Sequence, residues 1–290
     1  MKVRIWGARG SIPAPGPETM RYGGNTSCVS VELADGSTLV LDAGTGLRNL
    51  GQHLARPGSA GPLHILLTHL HLDHIQGLLF FAPMFRPESQ IVIWGPAAPD
   101  LPLVDRIARY ISAPLMPVEV RELPCHIEFR EAEASEWEIG GARIRADSVT
   151  HRGPTLGYRI SEGRSTLCYI PDHEPALGAD LDQLQDEWIS GLALARDADL
   201  LIHDAQYTDA EYPHHLGWGH SSLSDALKFA RRAGARRLLA FHHDPLHADD
   251  VLDQLGVEAA RRWAELGGGA GSVALAVETT EIEVGVRAAA

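Results

Sequence analysis

His69, His71, Asp73 and His74 fall within six positions, in the run Thr68-His-Leu-His-Leu-Asp-His-Ile75. Imidazole nitrogens and a carboxylate so close together are donors for divalent ions, zinc first and manganese as the harder alternative. The run follows the apolar stretch Leu63–Leu67, which reads as a buried strand bounded by Gly61 and Pro62. In a locally extended turn, His69 and His71 point to one side while Asp73 and His74 turn toward a second point. One segment can therefore serve two metal ions.

The elements that must position these residues are short β-like runs alternating with helical patterns. Strands are expected at Val3–Trp6, Ser27–Leu33, Thr38–Leu41, Leu63–Leu67, Ile91–Trp94 and Arg143–Ala146. Later ones are expected at Leu156–Ile160, Thr166–Ile170, Leu200–His203, Arg237–Phe241 and Val273–Val277. Ser222–Ala233 predicts a helix, because Leu223, Ala226, Leu227 and Ala230 share a face and Gly234 offers a stop. The proline-rich stretch 95–124 reads as a surface excursion with a short helix at Leu103–Ile111. No repeat, low-complexity tract or linker interrupts residues 1–290, which are read as one domain.

Several segments resemble, in order and at matching spacing, those of the metallo-β-lactamase superfamily and its ribonuclease Z and phosphodiesterase branch. They are Gly7-Ala-Arg-Gly-Ser-Ile-Pro13, Arg21-Tyr-Gly-Gly-Asn-Thr-Ser27, Leu41-Asp-Ala-Gly-Thr45, the His69–His74 run and Gly219-His-Ser-Ser222. The resemblance spans nearly the whole chain. It implies an α/β fold, an αββα sandwich of two mixed β-sheets flanked by helices. It also implies a third ligand for the His69 and His71 metal at His151, a bridging carboxylate at Asp172, and completion of the Asp73 and His74 site by a late histidine. Matching the end of the strand favours His242 for that place, with His243 left to hydrogen-bond behind it. Asp42 is then the carboxylate that holds a metal-bound histidine by its second nitrogen. His220, at a helix start, is the expected donor to the leaving oxygen, with Asp204 as its partner, although relatives usually carry Glu there.

Two divalent ions at such a site would hold a hydroxide near neutral pH, with Asp73 both binding metal and orienting the nucleophilic water. That chemistry serves phosphodiesters, carboxylic esters, lactones and thioesters alike, and His220 tips the reading toward phosphodiesters. Ribonuclease Z enzymes insert a flexible substrate-binding arm between the ligands matching His151 and Asp172; here two short strand patterns fill that interval. The formal net charge of −13 also argues against a large nucleic-acid partner. The expected substrate is thus a small anionic phosphodiester, such as a cyclic nucleotide or other cyclic phosphate. The alternatives are an armless ribonuclease Z-like nuclease, a carboxylic ester, lactone or thioester hydrolase, and a non-catalytic metal-binding module.

Composition narrows the setting. No apolar stretch approaches the roughly 18 residues a membrane span needs, and the start Met-Lys-Val-Arg-Ile-Trp lacks a signal peptide's apolar core. Cys28, Cys125 and Cys168 are isolated and read as reduced core residues. A cytoplasmic protein without a membrane partner is expected, and the resemblance adds a homodimer. Arg9, Arg21, Arg152 and Arg159 lie near the motifs, and each alone reads as a surface ion-pairing residue.

Overall fold

The structure is a computed structural model that describes residues 1–54 and 62–285. The expected strand-bounding Gly61 lies outside the described residues. The chain begins with strands β1 (Lys2–Gly7), β2 (Cys28–Glu32) and β3 (Thr38–Leu41), followed by helix α1 (Gly46–Leu54). Strand β4 (Leu63–Leu66) leads into the short helix α2 (Leu72–Ile75), and β5 (Gln90–Pro96), α3 (Leu103–Tyr110) and β6 (His126–Ala132) complete the first half. The second half runs β7 (Ser135–Ile139), β8 (Ala142–Ser148), β9 (Leu156–Glu162), β10 (Ser165–Ile170), α4 (Leu192–Ala195) and β11 (Leu200–Asp204). It continues through α5 (Leu223–Ala233), β12 (Leu238–Phe241), α6 (Asp249–Glu265) and β13 (Val273–Leu275); β14 (Glu281–Glu283) then crosses back to the first half.

Each half makes one seven-stranded mixed sheet, in the orders β14-β1-β2-β3-β4-β5-β6 and β13-β12-β11-β10-β9-β8-β7. Strands β3 to β6 and β10 to β13 are parallel, and the rest pair antiparallel. The two-residue period of a strand builds the layers. Leu39 and Leu41 enter the core between the sheets, whereas Val40 packs with Leu47 and Leu50 of α1. Likewise Ile202 and Phe241 face the intersheet core, while Leu201 and Leu238 pack with Phe229 of α5 and Trp263 of α6. Burial on both faces explains why the parallel strands read as continuous apolar runs. The result is the expected αββα sandwich.

Three strands were not anticipated. In β6 and β7 most residues are exposed or half-buried, and β14 is a short polar edge strand, so their apolar signal is weak. Helices α1 and α6 were missed too. The proline-rich stretch is less of a surface excursion than expected: α3 is the crossover between parallel β5 and β6, and Leu103, Ile107 and Ile111 are buried in the outer helix layer. The three cysteines are buried and unpaired.

Candidate metal centre

The chemistry-bearing residues follow the C-terminal ends of successive strands, where parallel sheets gather their functional groups. Asp42 follows β3, Thr68 to His74 follow β4, His151 follows β8, Asp172 follows β10, Asp204 ends β11 and His242 follows β12. The chain remains extended through His71 and then turns into α2, which brings Asp73 and His74 round to a different point from His69 and His71.

Two triads result. His69, His71 and His151 bring ligand nitrogens within 4.8 Å of one another, and so do the donor atoms of Asp73, His74 and His242. Asp172 lies between them. Its Oδ2 is 3.7 Å from both His69 Nε2 and His151 Nε2, while its Oδ1 is 3.1 Å from His74 Nε2 and 3.3 Å from His242 Nε2. Each oxygen of one buried carboxylate therefore faces a different triad.

The groups behind the imidazoles fix which nitrogen points inward. His74 Nδ1 donates to Asp42 Oδ2 at 2.8 Å, and Asp42 also accepts from the Thr68 backbone N–H and the Tyr169 hydroxyl. His151 Nδ1 donates to the Gly219 carbonyl at 2.7 Å. His242 Nδ1 faces Gln206 Oε1 at 2.9 Å; because Gln206 Nε2 is committed to Asp244, the amide presents its oxygen and the imidazole donates. With Nδ1–H so engaged, the Nε2 lone pairs of His74 and His242 point at carboxylate oxygens.

Lone pairs facing lone pairs at such distances need a cation or a proton between them. His69 Nε2, His74 Nε2 and Asp172 Oδ1 are buried without a hydrogen-bond partner, although an unsatisfied buried group of this kind costs about 1–3 kcal/mol. The donor set, all imidazole nitrogen and carboxylate oxygen, fits divalent metal. The electrostatics of these residues agree. Burial pushes the pKa of His69, His71 and His151 down, which keeps them in the neutral ligating form. Burial opposes charge on His74 as well, but Asp172, Asp73 and Asp42 outweigh it and hold its pKa well above the ordinary value. The same carboxylates that favour positive charge at His74 would favour a cation beside it.

His220 stands beside both triads, its ring 4.9 Å from those of His151 and His242. Its Nδ1 donates to Asp204 Oδ2 at 2.7 Å. The shorter Asp reaches because it is held in place: it also accepts the backbone N–H groups of His173, Gln206 and Ser221. Burial disfavours the imidazolium, yet Asp204, Asp172 and Asp73 raise the pKa of His220 to about 9.

Two expectations need correction. His243 does not back a ligand: its Nε2 faces the Ala276 carbonyl at 2.8 Å. Arg9 is no surface residue; it is 1% exposed, and it braces the first loop to the one after β12 by donating to the carbonyls of Gly23, Asp244 and His247. Sequence reasoning also missed Gln206, and missed Ser11, whose backbone N–H donates to Asp73 Oδ2 at 2.8 Å. Gly10 was quoted only as part of a motif. A Cβ there would lie 2.4 Å from His242 Nδ1, so the glycine is a requirement of close approach.

An αββα sandwich with paired His/Asp triads at its strand ends defines a metal-dependent hydrolase of the metallo-β-lactamase fold. The chain belongs to the β-lactamase superfamily: the model of the Beta-lactamase superfamily domain matches residues 37–243. Within it the chain resembles the ribonuclease Z and phosphodiesterase branch. It is 27% identical over 267 residues to a ribonuclease Z of Kineococcus radiotolerans, covering 81% of this chain and 82% of the relative. The fold is similar to that of the metallo-β-lactamase fold protein YhfI from Bacillus subtilis, with a TM-score of 0.69, 21% identity and coverage of 97% of this chain and 98% of that one. A diphosphatase from the PhnP family is similar too, with a TM-score of 0.67, 18% identity and 97% of each chain covered. The ribonuclease name of such relatives partly conflicts with the expectation, drawn from net charge and the missing arm, that weighs against a large nucleic-acid partner. No helix of the described residues is long and apolar enough to cross a membrane.

Proposed function

We propose that this chain, as a single domain, is a dinuclear-metal phosphodiesterase acting on small anionic phosphodiesters such as cyclic phosphates, in the cytoplasm. The observation that carries the reading is Asp172, whose two oxygens face separate ligand triads with His220 alongside. His69, His71 and His151 would hold one divalent ion, Asp73, His74 and His242 the other, and Asp172 both; zinc is the first expectation. Bound there, the ions supply positive charge to polarise the phosphoryl group and make water acidic enough to ionise near neutral pH. Asp73, with one oxygen held by Ser11, orients the attacking water. His220, fixed at Nδ1 by Asp204, presents Nε2–H to the departing oxygen and neutralises the charge developing on it.

The preference for small substrates rests on the interval between His151 and Asp172. It holds only the β9–β10 hairpin, closed with Glu162 opposite Ser165, and carries no extended arm. An armless nuclease acting on RNA ends is the second reading, favoured by the name that the sequence relatives bear.

The test is hydrolysis of bis(p-nitrophenyl) phosphate and, in parallel, a p-nitrophenyl carboxylic ester by metal-loaded wild type and His220→Ala. The phosphodiesterase reading expects turnover of bis(p-nitrophenyl) phosphate, and a fall of about 100-fold or more without His220 on a phosphodiester with an alkoxide leaving group, which needs the proton that p-nitrophenolate does not. Ester turnover alone, indifferent to His220, would overturn it. Cleavage of RNA ends in preference to cyclic nucleotides would select the second reading.

A further inference from the structure

Two residues past Asp172 the chain buries a carboxylate that the proposed chemistry does not use. Glu174 is 0% exposed. Its Oε1 accepts the Tyr212 hydroxyl and the Gly217 N–H, each at 2.9 Å, and its Oε2 accepts the Gly219 N–H at 2.8 Å. Its own backbone N–H donates to the Thr150 carbonyl at 3.0 Å, next to His151. A carboxylate is an acceptor only, and here the side chain's three donors all come from one loop.

That loop, from Tyr212 to Gly219, delivers His220 to the site. It also supplies the Gly219 carbonyl that accepts from His151 Nδ1. Gly219 has φ +90, and a Cβ on it would lie 2.4 Å from His151 Nδ1, so the backbone runs directly against that imidazole. The loop has little apolar burial of its own, since Leu216 and Trp218 are more than half exposed. Segments with few buried contacts open easily unless hydrogen bonds hold them.

We infer that Glu174 is a positioning residue. It fixes the Tyr212–Gly219 loop, and through it sets together the orientation of His151 and the place of His220. The inference rests on the roles proposed above for those two histidines.

The test uses Glu174→Gln, which keeps the side-chain shape but turns an N–H group toward the loop donors. Two quantities are read beside wild type and His220→Ala: zinc affinity by competition with a chromogenic chelator, and the dependence of kcat on leaving-group pKa across aryl phosphodiesters. Near-ultraviolet circular dichroism checks the fold. Glu174→Gln should weaken zinc by about tenfold, the scale typical of groups behind metal ligands, and steepen the leaving-group dependence as His220→Ala does. Wild-type values for both, with His220→Ala steepened, overturn the inference alone. An unchanged slope in His220→Ala instead overturns the donor reading; weakened zinc in Glu174→Gln then still supports the positioning of His151, and unchanged zinc overturns it. Should Glu174→Gln fail to fold, Tyr212→Phe removes one donor from a half-buried position, and a wild-type result in both readouts overturns the inference.

Discussion

Replacing Asp204 by Asn tests the leaving-group donor at the source of its charge. Burial works against an imidazolium at His220, and Asp204, 2.7 Å from Nδ1, more than reverses this, with Asp172 and Asp73 adding to it. The outcome, a pKa of about 9 against an ordinary 6.5, corresponds to about 3 kcal/mol in favour of the protonated ring. Asn keeps an oxygen for Nδ1–H but removes the negative charge, so burial prevails and the ring loses its proton far earlier. In the metal-loaded wild type the alkaline limb of kcat should lie at or below about 9, because bound cations push it down. In Asp204→Asn that limb should move to acid by more than one pH unit, with turnover near pH 8 reduced about tenfold or more. The assay is a pH–rate profile from about pH 6 to about pH 10 on a phosphodiester with an alkoxide leaving group, with a p-nitrophenolate substrate as the control that needs little protonation. Superimposable profiles for the two proteins would refute the reasoning. Stability supplies an independent sign. A group whose pKa is raised on folding stabilises fully below its unfolded value and loses that contribution as pH rises through its folded value. The metal-free wild type should therefore lead Asp204→Asn most below about 6.5, and that part of its lead should fade through about 9. A pH-independent cost of about 1–3 kcal/mol remains, because with the Asn oxygen kept toward His220 the amide NH2 faces the backbone N–H groups of Gln206 and Ser221.

Asp42→Asn leaves His74 Nδ1 without its anionic partner and should weaken zinc by about 10–100-fold in chelator competition; wild-type affinity would mean that His74 binds no metal. Gly10→Ala places a methyl 2.4 Å from His242 Nδ1, so elemental analysis should find the Asp73–His74–His242 ion lost while the other stays. Two firmly held ions would show that the loop yields rather than the imidazole. Asp172→Ala should lower metal content from two ions toward one, and retention of both would contradict its bridging role.

The parts of this molecule that could be read from sequence are those where one local pattern has one physical meaning. Strands β3, β4, β11 and β12 are buried on both faces, so their apolar runs stand out, and the histidine run after β4 needs no tertiary knowledge to suggest metal. Ser222 and Gly234 bracket α5 as cap and stop, its side chain accepting from the Asp225 N–H at one end and a left-handed glycine closing the other. What could not be read depends on distant segments. Gln206 is an ordinary amide until the fold sets it against His242, 36 residues away. The strand end favoured His242 over His243, but the Ala276 carbonyl that His243 faces instead lies 33 residues away. Glu174 looks like a surface acid beside a proline, and only the folded loop gives it three donors. Edge strands β6, β7 and β14 lack the continuous apolar run because solvent takes one face of each.

The two halves of the chain explain why so much of the site is long-range. The first sheet brings Asp42 and the His69–His74 segment; the second brings His151, Asp172, Asp204 and His242. Neither of the two triads is complete within one sheet, since His69 and His71 need His151, and Asp73 and His74 need His242. Contacts across the seam repeat the pattern without any metal. Tyr169 of β10 donates to Asp42 at the end of β3, and Tyr158 of β9 donates to the carbonyl of Leu67 after β4. A metal bound by such triads joins the sheets at their C-terminal edge. Its binding energy is therefore also energy for packing one sheet on the other, by the linkage that makes any ligand of the folded state alone a stabiliser. The buried His69 Nε2, His74 Nε2 and Asp172 Oδ1, which no group among the described residues satisfies, lie at the same edge where a metal would join the sheets.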